Sequence, residues 1–443
     1  MVKQIYIFSE QSTQRIKFTF ELIFKELMNF ENVIIISEIS EFNAIENYPK
    51  LSYSYTSFNN APFLAIGTNL LFEKGINSNK PIFFEGEKFG CFFEAEDKAG
   101  LFSFDLPAAV FWLVSRYEEY QSFETDKHGR FAAGNSFAFQ NNFINFPLVN
   151  IWVEELSQKL KIHFKDFTFP NKKAYSFIPS YDIDYAWAYR NKGFFRNFAA
   201  GVKDLIKFNF DNFFERIAVL SGIRKDPLYT FDYIKNLHNI SEVKPLIFWL
   251  LGDYAHFDKN ISYQVEQFRK LITDLDKLYN SGIHPSYLSN FQKEKVEMEI
   301  RRLESILSKK ITKSRQHFLK LKFPDTYQNL LKMGITDDYT MGYAEQPGFR
   351  ASIASSFYWY DLKNETQTNL RIHPFMLMDV TLHTYLKMSP EAALQCVLPI
   401  IQSTKDAGGE LISIWHNNSF CEKGDWKGWK SMYEQFIEEA SKK

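Results

Sequence analysis

Apolar residues recur at every third or fourth position through Val265, Phe268, Leu271, Ile272, Leu275 and Leu278, and again through Val296, Ile300, Leu303 and Leu307. That period, close to 3.6, predicts two amphipathic helices, each with one face turned to a core. Short unbroken apolar runs at residues 246–251 and 411–415 read instead as strands, and a further strand is expected at residues 175–181. Strands alternating with helices in this way favour a β/α barrel or an open α/β sheet. Residues 190–240, rich in Phe and Lys, predict a helical excursion between the first and second of these strands.

The N-terminal part alternates as well. Runs at residues 32–37, 62–67 and 106–117 suggest a self-contained α/β or α+β unit. The first apolar run, residues 1–8, turns polar at Ser9, Glu10 and Gln11, so it is too short for a secretory leader and suits a first strand. Residues 165–173 are largely polar and contain Pro170, as a linker would. The expected organisation is an accessory unit over residues 1–170 and a larger unit over residues 171–443, with no internal repeats.

At 443 residues the chain is long enough for two or three domains, and 45% apolar residues, including 46 Phe and 23 Tyr, supply a sizeable core. The 52 basic and 53 acidic side chains leave a formal charge of −1, which lacks the basic footprint of a nucleic-acid binder. Cys91, Cys396 and Cys421 are odd in number and far apart, so neither a disulfide framework nor a zinc knuckle is expected. No stretch reaches the roughly 18 uninterrupted apolar residues of a membrane span, and the default expectation is a cytoplasmic protein. Nothing in the sequence specifies an oligomeric state.

Residues able to do chemistry collect at the ends of the expected strands. Asp182 and Asp184, two apart in an extended segment, point the same way, so that one can ligate a metal while the other acts as a base. His284, after Gly282, and His317, in Ser314-Arg315-Gln316-His317, can each offer a ring nitrogen to a divalent ion. Arg350, in Gly348-Phe349-Arg350, can hold a carboxylate through two parallel hydrogen bonds, and His416, ending an apolar strand, can deliver a proton. Taken singly, each also fits a plain structural role: a surface turn, a donor to a loop carbonyl, an exposed helix end, a surface ion pair or a satisfied core histidine. Asp337, Asp338 and His373 are weaker candidates.

The order Asp-x-Asp, Gly-x-His, Gly-Phe-Arg and strand-then-His resembles the NodB-homology polysaccharide deacetylase family over about residues 172–443. The resemblance implies a distorted (β/α) barrel holding one divalent metal, zinc or alternatively cobalt or manganese, through an Asp and two His. Carried onto this sequence, it makes Asp182 the general base, Asp184 and His284 metal ligands, Arg350 the group that orients Asp182, and His416 the general acid. The family's second motif has a His four residues after the first, and here that position is Leu288, which cannot ligate. His317 is the replacement. Asp379 is placed to support His416, or else caps the helix that follows it. The front unit looks like the extra N-terminal domain found before some bacterial deacetylase-like domains, and its segments 116–120 and 126–131 are expected to build an interface.

The activity implied is removal of acetyl groups from an N-acetylated carbohydrate. Tyr181, Tyr185, Trp187, Tyr343, Phe349 and Trp415 can line a cleft that stacks on sugar faces, or can be core residues. Two alternatives stand beside this: a catalytically inactive deacetylase-like module that binds glycan or acts as a scaffold, and a hydrolase of a non-sugar C–N bond.

Overall fold

The first strand, Gln4–Phe8 (β1), buries Ile5 and Ile7 completely and leads into a helix at Gln14–Phe20, where the Thr13 hydroxyl accepts the Ile16 amide as an N-cap. The structure, a computed structural model, describes residues 3–57, 61–85 and 90–442, so Met1 and Val2 of the expected first strand lie outside the described residues. Asn32–Ile36 (β2), Lys50–Ser54 (β3) and Phe63–Ala65 (β4) join β1 in a parallel sheet of order β2-β1-β3-β4. Phe83–Glu85 (β5) and Gly90–Phe92 (β6) form a separate antiparallel pair. The helix Leu106–Val114 is buried on every side, so its sequence is apolar throughout, and Asp105 caps it by accepting the Ala108 amide at 3.0 Å.

The second sheet has nine strands: Ser176–Ile183 (β7), Leu246–Trp249 (β8), Asn280–Ile283 (β9), Lys313–Ser314 (β10), Asp337–Asp338 (β11), Phe357–Asp361 (β12), Thr366–Ile372 (β13), Leu377–Met378 (β14) and Glu410–His416 (β15). Their order is β12-β13-β11-β10-β9-β8-β7-β15-β14, parallel except for the antiparallel β12–β13 pair. The distorted barrel implied by the family resemblance is not seen as a closed sheet: among the described residues β12 and β14 are edges, and no strand pairing joins them. Closure needs the edge strands to pair with each other, and β14 at one edge offers only two residues.

The two helices expected from periodicity are found at Glu266–Asp276 and Lys293–Leu307, burying Phe268, Leu271, Ile272 and Leu275 in one and Val296, Ile300 and Leu303 in the other. Leu278 falls beyond its helix and is exposed, while the neighbouring Tyr279 turns inward. Between β7 and β8 the excursion consists of the helices Phe194–Ile206, Phe210–Leu220 and Phe231–Ser241. A single apolar cluster runs from the N-terminal sheet into the nine-stranded one, with Phe18 and Phe111 each packing on Tyr360 at 5.1 Å between ring centroids. Cys91, Cys396 and Cys421 are free thiols.

Parallel register decides what meets at the strand ends. His416 lies opposite Asp182, Trp249 opposite both Ile183 and Ile283, and Ser314 opposite Ile283. Residues at or just past those positions therefore share the C-terminal end of the sheet, where open α/β sheets place their sites.

Candidate metal centre and its surroundings

Side chains alternate along β7, so Asp182 and Asp184 emerge on one face while Tyr181 and Ile183 enter the apolar layer. Asp182 is buried and its Oδ1 accepts from Arg315 Nη1 at 2.8 Å. The Arg315 guanidinium is itself fixed: its Nε donates to the Tyr339 carbonyl at 3.0 Å, and it stacks over Phe248 at 4.3 Å.

Asp184, His284 and His317 converge, each offering one ligand atom within 4.8 Å of the others. His284 Nδ1 lies 2.6 Å from the Arg315 carbonyl and His317 Nδ1 lies 2.8 Å from Asp258 Oδ1. A carbonyl or carboxylate partner takes the Nδ1 proton, so in the neutral form of each ring the lone pair is on Nε2, which faces Asp184 at 3.4 Å for His284 and 3.5 Å for His317. Asp184 Oδ1 is buried and has no hydrogen-bond partner. Around this point four carboxylates, Asp182, Asp184, Asp258 and Asp379, face one guanidinium, Arg315. Although burial opposes it, Asp184 and Asp258 draw a proton onto His317 and raise it to about 9. Burial likewise opposes ionisation of Asp184, yet the neighbouring imidazoles hold it well below the ordinary carboxylate range. A set of one carboxylate oxygen and two imidazole nitrogens in a field that demands positive charge fits a divalent cation such as zinc.

His416 is tied to Asp379 twice, through its backbone amide at 2.7 Å and its Nδ1 at 2.8 Å. Asp379 also accepts from the Ser419 hydroxyl and the Val380 amide, so it both holds the His416 ring and caps the following turn. Burial works against protonation, but Asp379, with Asp184 and Asp182 behind it, raises His416 to about 10. Its Nε2 lies 3.8 Å from Asp184 Oδ2, inside the same cluster.

Arg350 does not meet the expectation that it orients Asp182. Its guanidinium binds Glu119 by two hydrogen bonds of 2.9 and 2.5 Å and the Gly342 carbonyl by a third, deep against the N-terminal part. Arg315 occupies the place assigned to it: β10 lies three strands from β7 and delivers its next residue over the strand ends, within reach of Asp182. Nor do the aromatic residues form a cleft. Tyr181 is hydrogen-bonded to His238 and Tyr433, Trp415 packs on Tyr433, Trp187 stacks on Tyr229, and Phe349 and Tyr343 are buried. Tyr181 and Trp415 alternate with Asp182 and His416 along their strands, so they point the other way. Tyr185 alone of this set is half-buried.

Three supporting residues were not anticipated as such. Arg315 sits inside the segment that carries His317, so the motif contained the signal. Asp258, on the loop after β8, also accepts the amides of Tyr287 and Leu288, so the chain at position 288 serves the carboxylate behind His317 and supplies no ligand itself. Glu119 belongs to the segment expected at an interface. Among the weaker candidates, His373 bonds Asp337 at 2.9 Å and Asp338 accepts from Ser314, both apart from this cluster.

Residues 5–165 match a family of unknown function (DUF7033). No curated protein matches the chain. Similar solved structures include a protein from Mycobacterium smegmatis assigned as a polysaccharide deacetylase, 12% identical, covering 62% of this chain and 86% of that one with a TM-score of 0.41. They also include the polysaccharide deacetylase Bc1974 from Bacillus cereus, 9% identical, covering 60% and 87% with a TM-score of 0.30. A third is a BA3943 mutant, a CE4 family pseudoenzyme with restored enzymatic activity, 12% identical, covering 62% and 68% with a TM-score of 0.26. At such identities and scores the chemistry rests on the geometry above. The chain is a mixed α/β protein with parallel sheets, and its solved structural neighbours include polysaccharide deacetylases.

Proposed function

We propose that the chain is a metal-dependent hydrolase that removes acetyl groups from an N-acetylated carbohydrate, with residues 171–443 carrying the chemistry and residues 1–170 forming an accessory unit. The observation that carries this reading is the convergence of Asp184, His284 and His317 with a buried carboxylate, Asp182, on one side and a carboxylate-backed imidazole, His416, on the other. Asp184, His284 and His317 would hold a divalent cation, which would supply Lewis acidity at the acyl oxygen.

An amide has a poor leaving group, so its hydrolysis needs a base for water and a proton for nitrogen. Asp182 is the base. Its Oδ1 is held by Arg315, while its Oδ2 lies 3.7 Å from His284 Nε2, on the side where the ligands converge. Arg315 is a positioning residue that keeps this carboxylate aimed. His416 is the acid: with Nδ1 occupied by Asp379, its protonated Nε2 gives up a proton to the departing amine.

One observation favours hydrolysis of a non-sugar C–N bond by the same residues: the aromatic side chains expected to stack on sugar are mostly core. Acetate release from chitooligosaccharides against a panel of small amides separates the two. The test of the site itself is the metal content of the purified protein beside His284→Ala and His317→Ala. About one equivalent of divalent metal, lost in both variants, is the expected result. No metal after reconstitution with Zn²⁺, Co²⁺ or Mn²⁺ would overturn the hydrolase and leave a glycan-binding or scaffolding module.

A further inference from the structure

In a helix packed on a protein the apolar face turns inward, and the helices Phe194–Ile206 and Phe210–Leu220 do the reverse. Phe194 is 76% exposed, Phe195 85%, Phe198 62%, Ile206 71%, Phe208 79% and Phe214 64%. Within each helix the exposed apolar residues recur at helical spacing, so they form a stripe. The polar residues lie underneath: Asn197 Nδ2 donates to the Tyr189 carbonyl at 2.9 Å, and Arg216 binds Asn197 at 3.1 Å and Asp204 at 2.7 Å while stacking over Tyr189. Hydrogen bonds and one ion pair hold the hairpin together, and its apolar side faces outward. Five Phe side chains of about 150–250 Å² each, with Ile206 beside them, exposed to this extent, exceed the few hundred Å² of apolar patch usual on a monomer.

Charge specifies the occupant. Lys203, Lys207, Arg224 and Lys225 are exposed, and none makes an ion pair among the described residues. The acids of the same stretch are mostly engaged: Asp204 with Arg216, Glu215 with Lys423, and Asp226 buried under the amides of Ala188, Tyr189 and Arg190. Only Asp211 remains as an exposed carboxylate without an ion pair among the described residues. Aromatic residues on one face with unpaired cations beside them match an anionic lipid surface, where rings enter the headgroup boundary and Lys and Arg meet phosphate. Helices of 13 and 11 residues suit lying in that boundary, and no helix among the described residues is long and apolar enough to cross a membrane.

We propose that the hairpin of residues 194–225 docks the protein on an anionic lipid surface, with its Phe side chains in the headgroup region and Lys203, Lys207, Arg224 and Lys225 on lipid phosphates. The hairpin is joined to the strand-end cluster. Arg196 donates to the Lys259 and Asn260 carbonyls at 2.7 and 3.2 Å and stacks over Tyr254, and this loop carries the Asp258 that holds His317. Docking there sets the cluster beside the lipid.

The test is co-sedimentation with phosphatidylcholine vesicles containing about a third phosphatidylglycerol, beside pure phosphatidylcholine, at low and high salt. The full chain is expected to pellet with the anionic vesicles, less so at high salt. The triple variant Phe194→Ser/Phe195→Ser/Phe198→Ser is expected to stay in solution, and Lys203→Glu/Lys207→Glu to bind at least about tenfold more weakly. Near-ultraviolet circular dichroism and the urea midpoint of both variants verify that they are folded. Failure of the wild type to pellet, or undiminished binding by both folded variants, overturns the proposal. Light scattering tests the rival occupant: a wild-type dimer that ignores vesicles and becomes monomeric in the Phe variant would assign this face to a second copy of the chain.

Discussion

The Arg116, Glu118, Glu119 and Arg350 cluster and the Asp182, Asp184, His284 and His317 cluster are both withdrawn from solvent, yet only the first is balanced. Arg116 binds Glu118 and Glu119 at 2.7 Å each, Arg350 takes both oxygens of Glu119, and the second oxygen of Glu118 accepts the Phe137 amide. Two guanidinium groups meet two carboxylates and every oxygen has a donor, so the cluster acts as a clamp between the N-terminal part and the nine-stranded sheet. At the strand ends carboxylates outnumber guanidinium groups, Asp184 Oδ1 has no hydrogen-bond partner, and protons are drawn onto His317 and His416 to make up the deficit. A buried cluster that closes on itself specifies structure. One that leaves charge and lone pairs unpaired is arranged for something from outside.

The contrast is sharpest in a variant that leaves folding alone. His416→Ala is expected to lower turnover by about 10²–10⁴ while keeping the metal, because in the proposed mechanism His416 contributes a proton and no ligand. Full turnover with metal retained would break the distinction drawn for the strand-end cluster. The clamp should respond in the opposite sense: Arg350→Ala leaves Glu119 buried with two of its three donors gone and is expected to cost about 3–5 kcal/mol in urea unfolding. A loss below about 1 kcal/mol would remove the clamp from the account of stability.

The smallest effect is a pH slope. Burial pushes the Glu299 carboxyl, which accepts from the Ser286 hydroxyl and amide just after His284, up to about 7 from its ordinary 4.5. The folded state therefore holds a proton that the unfolded chain releases, so the contribution is fully present below about pH 4.5 and is lost as pH rises through about 7. Urea midpoints at pH 5 and pH 8 should show a smaller decline in Glu299→Gln than in the wild type. Equal declines would place the slope elsewhere.

Much of the site was legible because its signals are local. Alternation along an extended segment puts Asp182 and Asp184 on one face whatever else the chain does, and an apolar run ending in a polar residue puts His416 at a strand terminus. Asp379 is matched to His416 through the family resemblance and not by a local signal; the two meet because β14 and β15 are adjacent and parallel, so residues just past their ends lie together. The helices at Glu266–Asp276 and Lys293–Leu307 followed from periodicity for the same local reason. The inverted hairpin was legible only as helix, because an apolar stripe has the same period whether it faces a core or the solvent.

By itself, then, the sequence determined several of the strands and helices, which side chains share a face within them, and that an Asp pair and several His lie at strand ends. These are properties of neighbours a few positions apart. Tertiary structure alone decided that the sheet stays open, that Arg315 and not Arg350 reaches Asp182, and that Asp258 holds His317. It also decided that Arg350 crosses to Glu119, 231 residues away. The physical reason is that partner choice over such separations depends on strand order and register, which place a guanidinium or a carboxylate to within a hydrogen bond. Spacing along the chain carries no information at that range.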